Sequence, residues 1–173
     1  MLKLIVLSIV LLAVFKAIEA CPQGWQQFQN SCYFSSASIG DNSYASLAAR
    51  SKHWYKAQRA CKKMGATLAE INSQAELQFV RKLAMSGRRT SWIGGTDAAN
   101  EGEWKWISGA PMTVSDFKPL TSKQMIKYDR PERQDCLAIS SHVDFHWRGI
   151  FCIQGYEYIC EQENNNSNSH GRS

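Results

Sequence analysis

Six cysteines constrain this chain more than any other feature: Cys21, Cys32, Cys61, Cys136, Cys152 and Cys160. They follow an export-type leader. Lys3 gives a positive start, Leu4 to Phe15 is an apolar run broken by Ser8, and Ala17 and Ala20 supply small residues near a cleavage point. The run is too short for a membrane span and no second one follows. Residues 1–20 are therefore expected to be a signal peptide, and the product secreted and extracellular. An even number of cysteines on that route predicts three disulfides, with the pairing left open by arithmetic alone. No CxxC pair occurs, which argues against zinc and thioredoxin-type chemistry.

Cleavage after Ala20 would leave residues 21–173, one domain by length and large enough to bury a core. The formal charge is +5, of which Lys3, Lys16 and Glu19 in the leader contribute +1. The remaining +4 suits a protein meeting acidic surfaces. No basic run is long enough to argue nucleic-acid binding.

Trp92-Ile93-Gly94-Gly95 reads as a central strand, because a short apolar run with a bulky aromatic runs into the turn-prone residues 96–102. Two helices precede it. One spans about His53 to Met64, with Trp54, Ala57 and Cys61 on one face and Gly65 as its capping glycine. The other starts at the capping box Ser73-x-x-Glu76, carries an apolar stripe of Leu77, Val80 and Leu83, and ends at Gly87. Cys21 to Phe34 reads as a hairpin whose turn is flanked by Cys21 and Cys32. Residues 35–51 lack periodicity and read as a surface loop. Residues 103–107 alternate like a half-buried strand, residues 112–135 form a long loop, and three strands follow at 136–140, 147–152 and 156–160. Residues 162–173 are Asn- and Ser-rich and read as a disordered tail, with a glycosylation sequon at Asn165.

Trp54-x-x-Ala57-x-x-x-Cys61, Leu68-Ala69, Trp92-Ile93-Gly94-Gly95, Cys136, Cys152 and Tyr158-Ile159-Cys160-Glu161 together resemble the C-type lectin-like domain. The resemblance covers residues 21–161. It implies an α+β fold: two helices packed on antiparallel sheets, a long loop region and three disulfides. It also implies the pairs Cys61–Cys160 and Cys136–Cys152, with Cys21–Cys32 as in the long form of the domain.

In that family a calcium ion grips two sugar hydroxyls, held by oxygens from a Glu-Pro-Asn or Gln-Pro-Asp triplet, a nearby Glu and a Trp-Asn-Asp triplet. A hard cation needs many such ligands. Here Phe117 to Lys123 has no such triplet, Gln134 stands two residues before Cys136, and the last triplet reads Trp147-Arg148-Gly149. Arg148 brings a positive charge and Gly149 brings no ligand, so the usual calcium–sugar site is expected to be missing. Asp97, Glu101 and Asp135 match a second, weaker ion site, and Glu76 and Glu161 a third. No cofactor is required on this reading, and any calcium would be weak and structural.

Lys118, Lys123, Lys127, Arg130 and Arg133 make the long loop basic, and with Glu132, Trp147 and Arg148 they form the expected ligand face. His142, Asp144 and His146 alternate, but they fall on an expected turn rather than a metal-binding strand. No Ser/His/Asp order, paired-carboxylate context or closed metal motif argues for an enzyme. The expected function is a secreted, non-catalytic recognition module for glycans, extracellular glycoproteins, or mineral and matrix surfaces. Its layout is similar to that of invertebrate secreted lectins and perlucin-like proteins. A calcium-dependent lectin with an atypical site around Glu132, Gln134 and Asp135 is the alternative.

Overall fold

A computed structural model describes residues 21–41, 43–118 and 134–164. The chain opens with a hairpin of β1 (Gln26–Phe28) and β2 (Ser31–Ser35). A 3-10 turn (Ser36–Ser38) leads to helix α1 (Tyr44–Arg50), then α2 (Trp54–Lys63), β3 (Thr67–Leu68) and α3 (Gln74–Gly87). Strands β4 (Ser91–Thr96), β5 (Lys105–Trp106), β6 (Cys136–Ser140), β7 (His146–Ile150) and β8 (Glu157–Glu163) complete it.

The sheet runs β1-β2-β8-β4-β6-β7, with β3 paired to β8 and β5 to β4. β4 and β8 are parallel, with Ser91 opposite Glu157 and Trp92 opposite Tyr158. The other pairings are antiparallel. The sheet is thus mixed rather than purely antiparallel.

β4 is buried on both faces, and its side chains alternate between two cores. Ile93 joins Leu77, Val80, Leu83 and Ala84 of α3. Trp92 joins Trp54, Ala57 and Cys61 of α2. The two indoles pin this arrangement. Trp54 Nε1–H donates to the Ile93 carbonyl at 2.9 Å, and Trp92 Nε1–H donates to the Lys52 carbonyl at 2.8 Å.

Local chemistry sets the helix ends. His53 caps α2 without a side-chain hydrogen bond, and the orphan Trp54 amide donates to the Cys152 carbonyl at 3.0 Å. At the other end Gly65 takes φ +71°, and the Gly65 and Ala66 amides bond back to Lys62 and Cys61. Ser73 caps α3 by accepting from the Glu76 amide at 3.1 Å. The Glu76 carboxylate reaches back to the Asn72 amide at 2.8 Å, one residue earlier than a standard capping box.

Several boundaries differ from expectation. Residues 44–50, expected to be loop, form α1, so the described residues hold three α-helices. Ser43 caps α1, and the buried Arg50 anchors it through Glu157 at 3.1 Å. Arg50 is the buried residue of this helix, and its aromatic Tyr44 is 87% exposed. Gly87 is the last helical residue rather than the stop, and Arg88 takes the left-handed conformation at φ 55°. Glycine is needed at 87 for closeness: a Cβ there would lie 2.5 Å from Glu157 Oε2 and 2.8 Å from Ala37 Cβ. The strand expected over 103–107 is only Lys105–Trp106. β7 starts and ends earlier than expected, and β8 continues through Glu163, so Gln162 and Glu163 are strand rather than tail. Among the described residues no helix is long and apolar enough to cross a membrane. The leader, Asn165 and the rest of the tail lie outside the described residues.

All three disulfides form: Cys21–Cys32, Cys61–Cys160 and Cys136–Cys152. Cys61–Cys160 ties α2 to β8 across 99 residues of sequence, against 11 and 16 for the others. Loop-closure entropy grows with that separation, so replacing both Cys61 and Cys160 by Ser should cost about 4–5 kcal/mol. Replacing Cys21 and Cys32 should cost less, about 2–3 kcal/mol. Chemical denaturation of the two variants checks the order.

Candidate functional site

The end of β4, the loop after it, the start of β6 and the middle of β7 enclose a cavity of about 250 Å³. Trp104, Phe117 and Trp147 form its aromatic wall, and Lys118, Gln134, Arg148, Asp97 and Glu101 its polar one. Trp104 packs on Phe117 with ring centroids 5.3 Å apart, and Phe117 packs edge-on to Trp147 at 5.8 Å. Trp147 is 1% exposed and Trp106 likewise. Trp147, expected on the ligand face, therefore backs the cavity and offers no open ring. The accessible aromatics are Phe117, 39% exposed, and the half-buried Trp104.

Phe117 is held in place from both sides. The Asp116 carbonyl accepts from the Trp147 amide at 3.0 Å, and the Asp116 carboxylate pairs with Arg81 of α3 and with His146 Nδ1 at 3.0 Å. His146 thus belongs with Arg81 to a hydrogen-bonded cluster around Asp116 at the entry to the long loop. His142, Asp144 and His146 do not converge on a common centre. His142 and Asp144 lie in the 3-10 turn and its left-handed cap.

Lys118, a candidate for the ligand face, is ion-paired with Asp144. That lysine holds the Asp144 carboxyl below the usual carboxylate range. Lys123, Lys127, Arg130, Glu132 and Arg133 lie outside the described residues.

Gly149 decides whether a calcium–sugar cage fits. A Cβ on Gly149 would come 2.5 Å from the Gln134 carbonyl oxygen and 2.9 Å from Trp104 Cζ2. The space a liganding side chain would need is already filled by an indole and a peptide carbonyl. Arg148 beside it is 7% exposed, so its cationic side chain is largely buried. Gln134 supplies a neutral amide in place of a carboxylate. The described positions 134, 148 and 149 bring no carboxylate to such a cage.

The neighbouring acidic pair behaves differently. Asp97 accepts from the Gly102 amide through Oδ2 at 2.9 Å, but Asp97 Oδ1 and Asp135 Oδ1 are buried with no hydrogen-bond partner among the described residues. Burial pushes the Asp97 carboxyl up, and the negative charge of Asp135 adds to the rise. At the third expected ion position each carboxylate oxygen lies within hydrogen-bond distance of a protein donor group. Tyr33 Oη lies 2.6 Å from Glu76 Oε1 and 3.0 Å from Glu161 Oε1; the Asn72 and Glu70 amides bond the other two oxygens. The single phenolic proton serves one carboxylate at a time. Burial, and then the charge of Glu76, raise the Glu161 carboxyl. Among the described residues no group of three or more His, Cys, Asp or Glu is arranged to hold a metal.

The family description "Lectin C-type domain" matches residues 50–162. The chain belongs to the C-type lectin domain family. It is similar to human C-type lectin domain family 17 member A, with 31% identity over 143 residues that cover 83% of this chain and 32% of that protein. It is also similar to ladderlectin of Oncorhynchus mykiss, with 30% identity over 83% of this chain and 68% of that protein. The chain thus spans about a third of the human relative's length. Among solved structures, the mouse scavenger receptor C-type lectin carbohydrate-recognition domain superposes with a TM-score of 0.66 at 28% identity. That match covers 83% of this chain and 98% of that one. The family is a non-enzymatic one of carbohydrate-recognition domains.

Two outcomes test this geometry. Gly149→Asp should destabilise the fold by about 1–3 kcal/mol, because the added atoms meet Trp104 and a backbone carbonyl. It should create no new calcium response in thermal melts. For Asp97 the raised carboxyl sets the sign. The folded chain holds that proton more tightly than the unfolded chain, so this contribution is full below the ordinary carboxylate range and is lost as pH rises through the folded value. With EDTA present, Asp97→Asn should therefore melt higher than the parent at neutral pH, and the gap should close in acid.

Proposed function

We propose that this chain is a secreted recognition module that binds glycans, or the glycoproteins and matrix surfaces that display them, without the family's calcium–sugar cage. The observation that carries this reading is the packing of Trp104 and the Gln134 carbonyl onto Gly149. A ligand can instead stack a sugar face on Phe117 and Trp104. The leader, the disulfides and the absence of a spare cysteine support an extracellular location. The names of the relatives support the glycan class.

A second reading has its own support. The unpartnered oxygens of Asp97 and Asp135 suit a weak structural cation that shapes the loop after β4 rather than touching sugar. Binding of that ion would raise the melting temperature with calcium concentration while leaving sugar specificity unchanged.

A glycan array probed in calcium and in EDTA tests the proposal. The expected result is the same glycans bound in both, with Phe117→Ala and Trp104→Ala each weakening binding about tenfold. Chelator-sensitive binding inhibited by mannose or galactose would contradict it.

A further inference from the structure

A larger cavity, about 520 Å³, opens at the other end of β4. Strand rise places it roughly 20 Å from the aromatic cavity, since Thr90 and Asp97 bracket the strand. The C-terminus of α3, the 3-10 turn after β6 and the start of β8 enclose it. Three arginines are among its lining residues, Arg50, Arg88 and Arg89, against one acidic residue, Glu157.

The charges are not all spent. Arg50 and Glu157 pair on the buried floor, at 3.1 Å and with side chains 7% and 1% exposed. Burial pushes the Glu157 carboxyl up, while Arg50 and then Arg89 pull it back. Arg88 and Arg89 are exposed, and neither forms an ion pair among the described residues. The left-handed backbone of Arg88 turns the chain at the cavity rim. On the facing wall, Thr90 Oγ1 and Ser141 Oγ lie 3.1 Å apart, and Thr90 Oγ1 also accepts the Ser141 amide at 3.2 Å. Two hydroxyls in contact use one proton between them, so one proton is left to donate. Ser141 is the more exposed and can turn it into the cavity.

We propose that this cavity is a second, calcium-independent binding site for a sulfate-type oxyanion, as carried by a sulfated saccharide. Arg88 and Arg89 supply the planar, multiply donating cations that match such oxygens, and Ser141 supplies a neutral donor. The paired floor keeps the anion at the rim rather than drawing it inside. The volume accommodates one or two sugar units. A free inorganic anion presents the same oxygens, and the test separates the two.

Amide NMR titration of the full chain reads the site directly, with a heparin-derived sulfated disaccharide, its desulfated counterpart and sodium sulfate as three probes. The sulfated disaccharide should shift the Thr90, Ser141 and Gly155 amides saturably, and the desulfated sugar should not. Arg88→Gly with Arg89→Ala should weaken binding at least about tenfold, the effect of losing charged hydrogen bonds. Glycine at 88 accepts the left-handed backbone, so the fold is retained. Lys62→Ala with Lys63→Ala removes the same charge from the exposed end of α2 and should change little. Sodium sulfate binding as tightly as the disaccharide would support the oxyanion site and assign it to the free ion. Equal loss in both double variants, equal shifts with the desulfated sugar, or no saturable shift would each overturn the proposal.

Discussion

The structure depends on how closely β4 passes beneath the segment that follows β3. A Cβ on Gly94 would lie 2.8 Å from the Leu68 carbonyl oxygen and 3.2 Å from that of Ala69. The Gly94 amide uses this approach to donate to the Ala69 carbonyl at 2.8 Å, and the Gly94 carbonyl accepts from Ile107 at 2.9 Å. Gly95 is pressed just as hard, on Leu137 and Met112. A side chain at Gly94 would meet backbone carbonyls and force β4 away from this segment. With β4 held there, α2 and α3 each find an apolar wall, and β8 can pair alongside. Both cavities then follow, because each is built where the chain leaves one end of this strand.

Much of that frame could be read before any coordinates. Trp54, Ala57 and Cys61 share a face by spacing alone, and they do pack together on Trp92. Ser73 and Glu76 announce the start of α3. The elements that escaped are those whose cause is tertiary. α1 has no apolar stripe, and its anchor is Arg50 meeting Glu157, more than one hundred residues away in sequence. Gly87 resembles a helix stop, but it is glycine because Glu157 and Ala37 crowd it, and Arg88 makes the turn instead. β5 is short because the chain turns at Gly109, with φ +86°.

The candidate site was legible as a loss rather than as a geometry. Gln134, Arg148 and Gly149 lack the carboxylates expected at those positions, which residue type alone reveals. What fills the gap is not visible in residue type, since it depends on Trp104 lying over Gly149 across the fold. Phe117 carried no signal in a run of loop residues; only its bridge to Trp147 and the anchoring of Asp116 turn it toward the cavity. Lys118 reads as part of a basic face, yet its partner Asp144 lies 26 residues on. Glu76 and Glu161 look like metal ligands by position, but Tyr33 stands between them and hydrogen-bonds the pair. In each case side-chain type names the chemistry available, and packing decides whether a ligand or the protein itself uses it.

The central claim is that the protein's own groups occupy the space of the calcium–sugar cage. A crystal structure grown in millimolar calcium with a saturating simple sugar tests it most directly. The account predicts the Trp104 ring against Gly149 and no ion between Gln134 and Arg148. An ion fully coordinated there, with saccharide hydroxyls among its ligands, would contradict it.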